Sequence, residues 1–278
     1  MLIQITNHCT LGCPHCMQCA SENGHHMSPE VFAKALEFGA WSDNYIYNIS
    51  GGEPTEHPMF EQFIEQLAAH IAAHPHPKMP NLPVFTIESN GEWVRSAQKV
   101  QAVKRILKQP RLVGLQISSF KGLYRNYDFI QKYKRKIEAL SSKVYVADEG
   151  IRSMQDLGRA STTNSPIVLK QIADNPHYMS CLNGCLSGKQ VGTLNEAVHG
   201  FMLKGLSCKP LVDWQGDVHW SESICCPSYG NVLTDSFETI WENMRCAIPC
   251  GKCHGYKNFL KSTQPQIIMA RALLGIKI

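Results

Sequence analysis

The chain has 278 residues, of which 44% are hydrophobic and 18% are charged, a composition that suits one globular domain or one large and one small domain. A formal charge of +4 without long basic runs predicts no nucleic-acid partner. No apolar stretch reaches the roughly 18 residues that a bilayer span needs, and the amino terminus lacks the segments of a signal peptide. We therefore expect a soluble, cytoplasmic protein with no membrane partner.

Predicted strands and helices alternate along the first half of the chain. Strands are predicted at Leu2–Thr6, Tyr45–Ile49, Val84–Glu88, Leu112–Ser118 and Lys143–Ala147. Helices are predicted from the N-cap Ser28 through Phe38, and at Pro58–Ala73, Val94–Leu107 and Tyr127–Leu140. Five such alternations imply βαβ units with parallel pairing and right-handed crossovers. The predicted class is α/β, and sheets of this kind bind ligands at the carboxyl ends of their strands.

Twelve cysteines in a reducing compartment favour metal ligation over disulfides. The first group lies within twenty residues of the start and comprises Cys9, Cys13, Cys16 and Cys19. The second group lies in the last hundred residues and comprises Cys181, Cys185, Cys208, Cys225, Cys226, Cys246, Cys250 and Cys253. Because thiolates gather where a soft metal needs them, the sequence predicts two metal centres at the two ends of a cysteine-free span.

The first motif is the run Cys9-Thr-Leu-Gly-Cys-Pro-His-Cys16, directly after the first strand. Three thiolates at this spacing can hold three corners of a cubane cluster and leave one iron without a protein ligand. Gly12 allows a tight turn and Pro14 stiffens the loop. Cys19 extends the spacing, so a fully ligated electron-transfer cluster or a zinc site competes with this interpretation. Spacing alone leaves the choice open.

The second motif is Ser50-Gly-Gly-Glu-Pro54, at the end of the second strand. Two glycines let the backbone approach a ligand closely, and Glu53 supplies an acceptor for an ammonium group. Paired with the cysteine run at the corresponding topological positions, this motif resembles the radical S-adenosylmethionine (radical SAM) superfamily over roughly Met1 to Ala160. The resemblance implies a partial parallel (β/α)6-type barrel and favours an iron–sulfur cluster over zinc.

The resemblance also implies roles for individual residues. Cys9, Cys13 and Cys16 would ligate a [4Fe-4S] cluster whose open iron binds the amino and carboxylate groups of S-adenosylmethionine (SAM). The implied SAM contacts are Gly51, Gly52, Glu53 and Pro54 after the second strand, Asn90 after the third, Ser118 and Ser119 after the fourth, and Arg159. His15 stands where many members carry an aromatic residue near the adenine. The implied reaction is reductive cleavage of SAM to a 5'-deoxyadenosyl radical that abstracts hydrogen from the substrate.

The carboxyl-terminal cysteines resemble the SPASM or shorter Twitch extension of the same superfamily. The shared order is a cysteine, a hairpin turn at Gly216, a cysteine, a Gly-Asn turn, a helix and a Cys-x2-Cys. The implied ligands of one auxiliary [4Fe-4S] cluster are Cys208, Cys226, Cys250 and Cys253, with Cys225 the rival of Cys226. The spacings of Cys181, Cys185 and Cys246 fit a second auxiliary cluster poorly. The predicted domains are a core over 1–180, an auxiliary-cluster module over 181–260 and a tail over 261–278 that packs on the core.

Relatives with this extension modify ribosomal peptides or proteins, or oxidise small alcohols. The expected substrate is therefore a peptide, a protein or a small molecule, oxidised with the help of the auxiliary cluster. A reductant such as flavodoxin or ferredoxin is the expected electron donor. A redox-neutral epimerase or rearrangement enzyme, a non-enzymatic iron–sulfur electron carrier and a structural zinc protein are the alternatives.

Overall fold

The computed structural model describes residues 1–42, 44–77, 81–148, 158–174, 210–220 and 228–246. These ranges contain the first cysteine group and all the predicted SAM contacts. Several predicted features lie outside the described residues, namely the auxiliary-cluster ligands Cys208, Cys226, Cys250 and Cys253, the further cysteines Cys181, Cys185 and Cys225, and the tail 261–278.

The described ranges contain seven strands and six α-helices. The strands are β1 (Leu2–Gln4), β2 (Ile46–Ser50), β3 (Val84–Ser89), β4 (Leu112–Ser118), β5 (Val144–Ala147), β6 (Pro210–Val212) and β7 (Val218–Trp220). The helices are α1 (Pro29–Trp41), α2 (Phe60–Ala73), α3 (Ala97–Ile106), α4 (Tyr127–Glu138), α5 (Pro166–Asp174) and α6 (Phe237–Cys246). None of these helices is long and apolar enough to cross a bilayer.

The strands form one sheet in the order β5-β4-β3-β2-β1-β6-β7. Every neighbouring pair from β5 across to β6 is parallel, and only β7 runs antiparallel to its neighbour. This arrangement confirms the predicted α/β class with a mainly parallel sheet. Because parallel strands end at the same edge, the loops that leave β1, β2, β3 and β4 meet at one side of the molecule.

Most element bounds agree with the sequence predictions, and the differences have local causes. Ser28 caps α1 as predicted, since its Oγ accepts the amide of Val31. The helix predicted over Val94–Leu107 is instead a 3-10 turn at Glu92–Arg95 followed by α3. Ser96 separates the two because its backbone is extended and its side chain caps α3. The first strand is also shorter than predicted, since β1 ends at Gln4 and not at Thr6.

One face of the sheet buries apolar side chains against the helices. The strands contribute Ile3, Tyr47, Ile49, Phe85, Ile87, Leu115 and Ile117 to this core. The helices meet them through rings such as Phe32 and Phe63, whose centroids lie 4.2 Å apart in a stacked pair. Residues on the other face alternate with these and include polar ones, for example Asn48, Glu88 and Gln116.

The hairpin predicted around Gly216 forms, and its strands extend the core sheet. β6 pairs in parallel with β1 and in antiparallel with β7. The turn is closed by Asp213, whose Oδ1 accepts the amides of Gln215 and Asp217, while Oδ2 lies 3.3 Å from His219 Nε2. Part of the range 181–260, assigned to an auxiliary module by the sequence, thus packs as a continuation of the barrel sheet.

Candidate functional site

The cysteine loop, Cys9–Cys16, leaves the interior strand β1 at the carboxyl edge of the sheet. Cys9, Leu11 and Cys13 are buried together, and the partly buried Cys16 packs against them. Cys19, in contrast, is exposed and has a left-handed backbone with φ 52°. None of the four forms a disulfide. The structure therefore brings the predicted cysteine triad, Cys9, Cys13 and Cys16, together and leaves Cys19 at the surface.

The environment of the triad disfavours three bare thiolates. Burial raises the pKa of Cys9 to about 11. Burial and the neighbouring Cys9 and Cys16 thiols raise the pKa of Cys13 to about 12. Ligand thiolates at such a position need a compensating cation, and soft metals supply it while driving the thiols to deprotonate. The donor chemistry of the triad therefore fits a thiolate-bound iron cluster.

The spacing of the triad sulfurs can be compared with the spacing that a single zinc ion requires. Ligand sulfurs around one tetrahedral zinc lie about 3.8 Å apart, given a Zn–S bond of about 2.3 Å. Within the described residues, the one group of three His, Cys, Asp or Glu ligand atoms that lie within 4.8 Å of one another is the hairpin trio Asp213, Asp217 and His219. At least two of the triad sulfurs therefore lie more than 4.8 Å apart, which is wider than one tetrahedral zinc ion requires.

Glu56 holds the cysteine loop in place. Its carboxylate accepts hydrogen bonds from Thr10, 3.2 Å from the amide and 2.7 Å from Oγ1, and it lies 3.2 Å from His8 Nε2. Sequence reasoning missed this residue. The available signal was a second carboxylate, three residues beyond Glu53 in the same turn.

Gly51 and Gly52 fit the end of β2 against the segment that leads into the cysteine loop. A Cβ at Gly51, where φ is +144°, would lie 2.3 Å from Thr6 O, and a Cβ at Gly52 would lie 2.1 Å from His8 O. The amide of Gly52 donates to Thr6 O at 2.7 Å, and that of Glu53 donates to His8 O at 2.9 Å. The structure shows a close approach of these glycines to the chain's own backbone, and the approach to a ligand that the sequence predicts stays a prediction.

Glu53 is fully buried and connects the ends of β2 and β3. Its Oε1 accepts Thr55 N, Thr55 Oγ1 and Ser89 Oγ, and its Oε2 accepts Asn90 N at 2.7 Å. Burial raises the pKa of Glu53, and these hydrogen bonds oppose the rise. Pro54 follows it as the first residue of a buried 3-10 turn. Each carboxylate oxygen has about two acceptor positions, and Oε2 accepts a single hydrogen bond from the described residues, so it can take one further donor such as an ammonium group.

Asn90 lies beside the triad. Its Nδ2 is 3.5 Å from Cys9 Sγ, and its carbonyl oxygen accepts Asn126 Nδ2 at 2.9 Å. The sequence predicted Asn90 as a SAM contact, and the contact that the structure shows is with a cysteine sulfur.

The buried polar atoms without a hydrogen-bond partner among the described residues include Ser119 Oγ, directly after β4, and His15 Nδ1, in the cysteine loop. Buried polar atoms are normally paired, so both are available to a bound ligand. Burial lowers the pKa of His15 to about 4, which keeps its imidazole neutral, and its ring lies 4.6 Å from that of Tyr124. The neighbouring Ser118 contacts Gln116 Nε2 at 3.4 Å, so Ser119 rather than Ser118 presents the unpaired hydroxyl.

Arg159 is hydrogen-bonded to the cysteine loop. Its amide donates to Cys16 O and its Nε donates to Cys13 O, each at 3.0 Å. The guanidinium charge therefore lies next to the triad, although Arg159 is 146 residues from Cys13 in the sequence. This position suits the predicted contact with a carboxylate.

The sequence model of the radical SAM superfamily matches residues 3–172, whereas no curated protein matches the sequence significantly. Three solved structures share the fold. BtrN in complex with AdoMet and 2-DOIA is 14% identical, with a TM-score of 0.51 and 91% of each chain covered. Native anSMEcpe with bound AdoMet and Cp18Cys peptide is 14% identical, with a TM-score of 0.52 and 98% of each chain covered. Streptococcus suis SuiB bound to precursor peptide SuiA is 12% identical, with a TM-score of 0.52, and the match covers 92% of this chain and 69% of SuiB.

Proposed function

The chain belongs to the radical SAM superfamily, and from this membership we propose that Cys9, Cys13 and Cys16 hold a [4Fe-4S] cluster that binds SAM. The observation that supports this most directly is the packing of the three thiols together at the carboxyl edge of the sheet, with Cys19 exposed. A triad leaves one iron of a cubane without a protein ligand. When bound, the cluster and SAM supply one-electron cleavage of the sulfonium and hydrogen abstraction from the substrate.

The residues around the triad bind and orient SAM in this proposal. Glu53 receives the methionyl ammonium on its remaining acceptor position, and Arg159 receives the carboxylate. Ser119 and His15 offer an unpaired hydroxyl and an unpaired ring nitrogen to the nucleoside part. Burial of these groups excludes water, which strengthens each of these interactions. Gly51 and Gly52 fix the end of β2 against the cysteine loop, and in this proposal their backbone also lies against the methionyl ammonium.

We propose a peptide, a protein or a small molecule as the substrate. The solved structures of anSMEcpe and SuiB contain peptides, and that of BtrN contains 2-DOIA. The proposed reaction is an oxidation in which an auxiliary [4Fe-4S] cluster accepts an electron, with flavodoxin or ferredoxin as reductant. The proposed ligands of that cluster are Cys208, Cys226, Cys250 and Cys253. The hairpin between the first two of them pairs with β1, which supports a position for the auxiliary module close to the core.

Anaerobic reconstitution tests the proposal. Reconstituted protein reduced with dithionite is expected to convert SAM into 5'-deoxyadenosine, and the triple variant Cys9→Ala, Cys13→Ala, Cys16→Ala is expected to form none. Cys19→Ala is the matched control and should retain the activity, because Cys19 is exposed. Equal yields from the wild type and the triple variant would refute the proposal. No 5'-deoxyadenosine from the wild type, together with loss of the cluster in Cys19→Ala, would instead favour a fully ligated electron carrier.

Iron analysis tests the auxiliary cluster separately. Two cubanes predict about eight iron atoms per chain. Replacing Cys208, Cys226, Cys250 and Cys253 by Ala should lower this to about four while SAM cleavage persists. About four iron atoms in the wild type would remove the auxiliary cluster, and stoichiometric zinc would support the structural alternative. A product identical in oxidation state to its substrate would favour the epimerase or rearrangement alternative.

A further inference from the structure

Asn90 makes the one side-chain hydrogen bond to a triad sulfur found among the described residues. Its Nδ2 lies 3.5 Å from Cys9 Sγ, within the range of a hydrogen bond to sulfur. The other donors to the triad are backbone amides, that of Leu11 toward Cys9 and that of Arg125 toward Cys13. Asn90 therefore supplies the one contact of this kind that a substitution can remove without moving the backbone.

The orientation of the Asn90 side chain is fixed by its surroundings. Its Oδ1 accepts the amide of Glu92 at 2.8 Å. Rotating the amide group by 180° would place Nδ2 against the Glu92 amide, so that two donors would face each other. The Nδ2 group must therefore point toward Cys9.

The backbone of Asn90 is held equally firmly. Its amide donates to Glu53 Oε2 at 2.7 Å, and its carbonyl accepts Asn126 Nδ2 at 2.9 Å. The residue is also buried, so water does not compete for the sulfur. The same residue thus links Glu53, which faces the proposed SAM ammonium, to a proposed cluster ligand.

We infer that Asn90 is a positioning residue that acts through Cys9, and that its hydrogen bond to the sulfur raises the reduction potential of the cluster. The physical reason is that one-electron reduction adds negative charge, part of which lies on the ligand sulfurs, and a donor stabilises the more negative state. Hydrogen bonds to the sulfurs are among the main factors that set the potential of an iron–sulfur cluster. The inference rests on the proposed function, since it requires a cluster on Cys9.

The test is a potentiometric titration of the reconstituted full-length chain, followed by electron paramagnetic resonance. Asn90→Asp keeps the oxygen that accepts the Glu92 amide, removes the donor to sulfur and adds a negative charge. Asn90→Leu removes the donor without adding charge. Asn44→Leu is the control, because Asn44 is another buried asparagine and lies at the opposite, amino-terminal end of β2.

We expect the midpoint potential of the SAM-responsive signal to shift to more negative values in Asn90→Leu, to shift further in Asn90→Asp, and to remain unchanged in Asn44→Leu. Potentials equal to the wild type in the Asn90 variants would overturn the inference, even if stability or iron content fell. If Asn90→Leu fails to hold the cluster, Asn90→Ala, which also removes the donor without adding charge, decides the question. A wild type that binds no cluster would refute the proposed function itself, which is a different outcome from an unshifted potential.

Discussion

Replacing Gly52 by Ala should destabilise the protein through a clash with its own backbone. The added Cβ would lie 2.1 Å from His8 O and 2.7 Å from His8 C, so β2 and the stem of the cysteine loop must move apart. Forced overpacking costs about 1–3 kcal/mol. Two backbone hydrogen bonds between these segments, Gly52 N to Thr6 O and Glu53 N to His8 O, are weakened as well, at about 1 kcal/mol each. The expected loss is about 3–5 kcal/mol.

Gly114→Ala provides the matched control for this prediction. Gly114 lies within β4, and a Cβ there would meet its nearest neighbour, a ring carbon of Tyr145, at 3.5 Å, which is ordinary contact. Since alanine also orders a strand better than glycine, the control should be neutral or slightly stabilised. Urea denaturation, monitored by circular dichroism, measures the free energy of unfolding of both variants. Equal stability of Gly52→Ala and Gly114→Ala would refute the steric reasoning.

Three further predictions concern the loop, the core and a titrating side chain. Glu56→Ala removes the side-chain contacts that hold the cysteine loop and should lower the iron content after reconstitution, whereas a full iron complement would contradict that role. Phe32→Ala removes a fully buried ring stacked on Phe63 and should lower the free energy of unfolding by about 3–5 kcal/mol, with a loss below about 1 kcal/mol as the contrary result. Burial lowers the pKa of His70 from 6.5 to about 4, so the unfolded state binds more protons between these values and stability should fall as the pH decreases from 6.5 to 4. His70→Gln should weaken that pH dependence, and identical pH profiles would count against it.

Local patterns were sufficient to predict the fold class and the cysteine triad. Alternating apolar residues place β4 over Leu112–Ser118 in both the sequence and the structure, because a strand in a parallel sheet is a local pattern of burial. The triad is likewise a matter of short spacing directly after a strand. A turn of a few residues keeps the three thiols close whatever the rest of the chain does.

Contacts between distant segments could not be predicted in the same way. The pairing of β6 with β1 joins residues more than 200 positions apart, and nothing local in either strand specifies that register. The two glycines after β2 indicate that another group approaches the backbone closely, yet the sequence does not say whether that group is a ligand or the chain's own Thr6 and His8. The hydrogen bond from Asn90 to Cys9 could not be predicted for the same reason, since it depends on how the loops after β1 and β3 meet.

Electron–nuclear double resonance of the reduced cluster, with SAM carrying nitrogen-15 at its amino group, tests the open iron site most directly. The account predicts a nitrogen coupling that changes with the isotope in the wild type and in Cys19→Ala, because the iron left free by the triad binds the amine. Identical spectra from labelled and unlabelled SAM would contradict the account, since they would show that the SAM amine does not bind that iron.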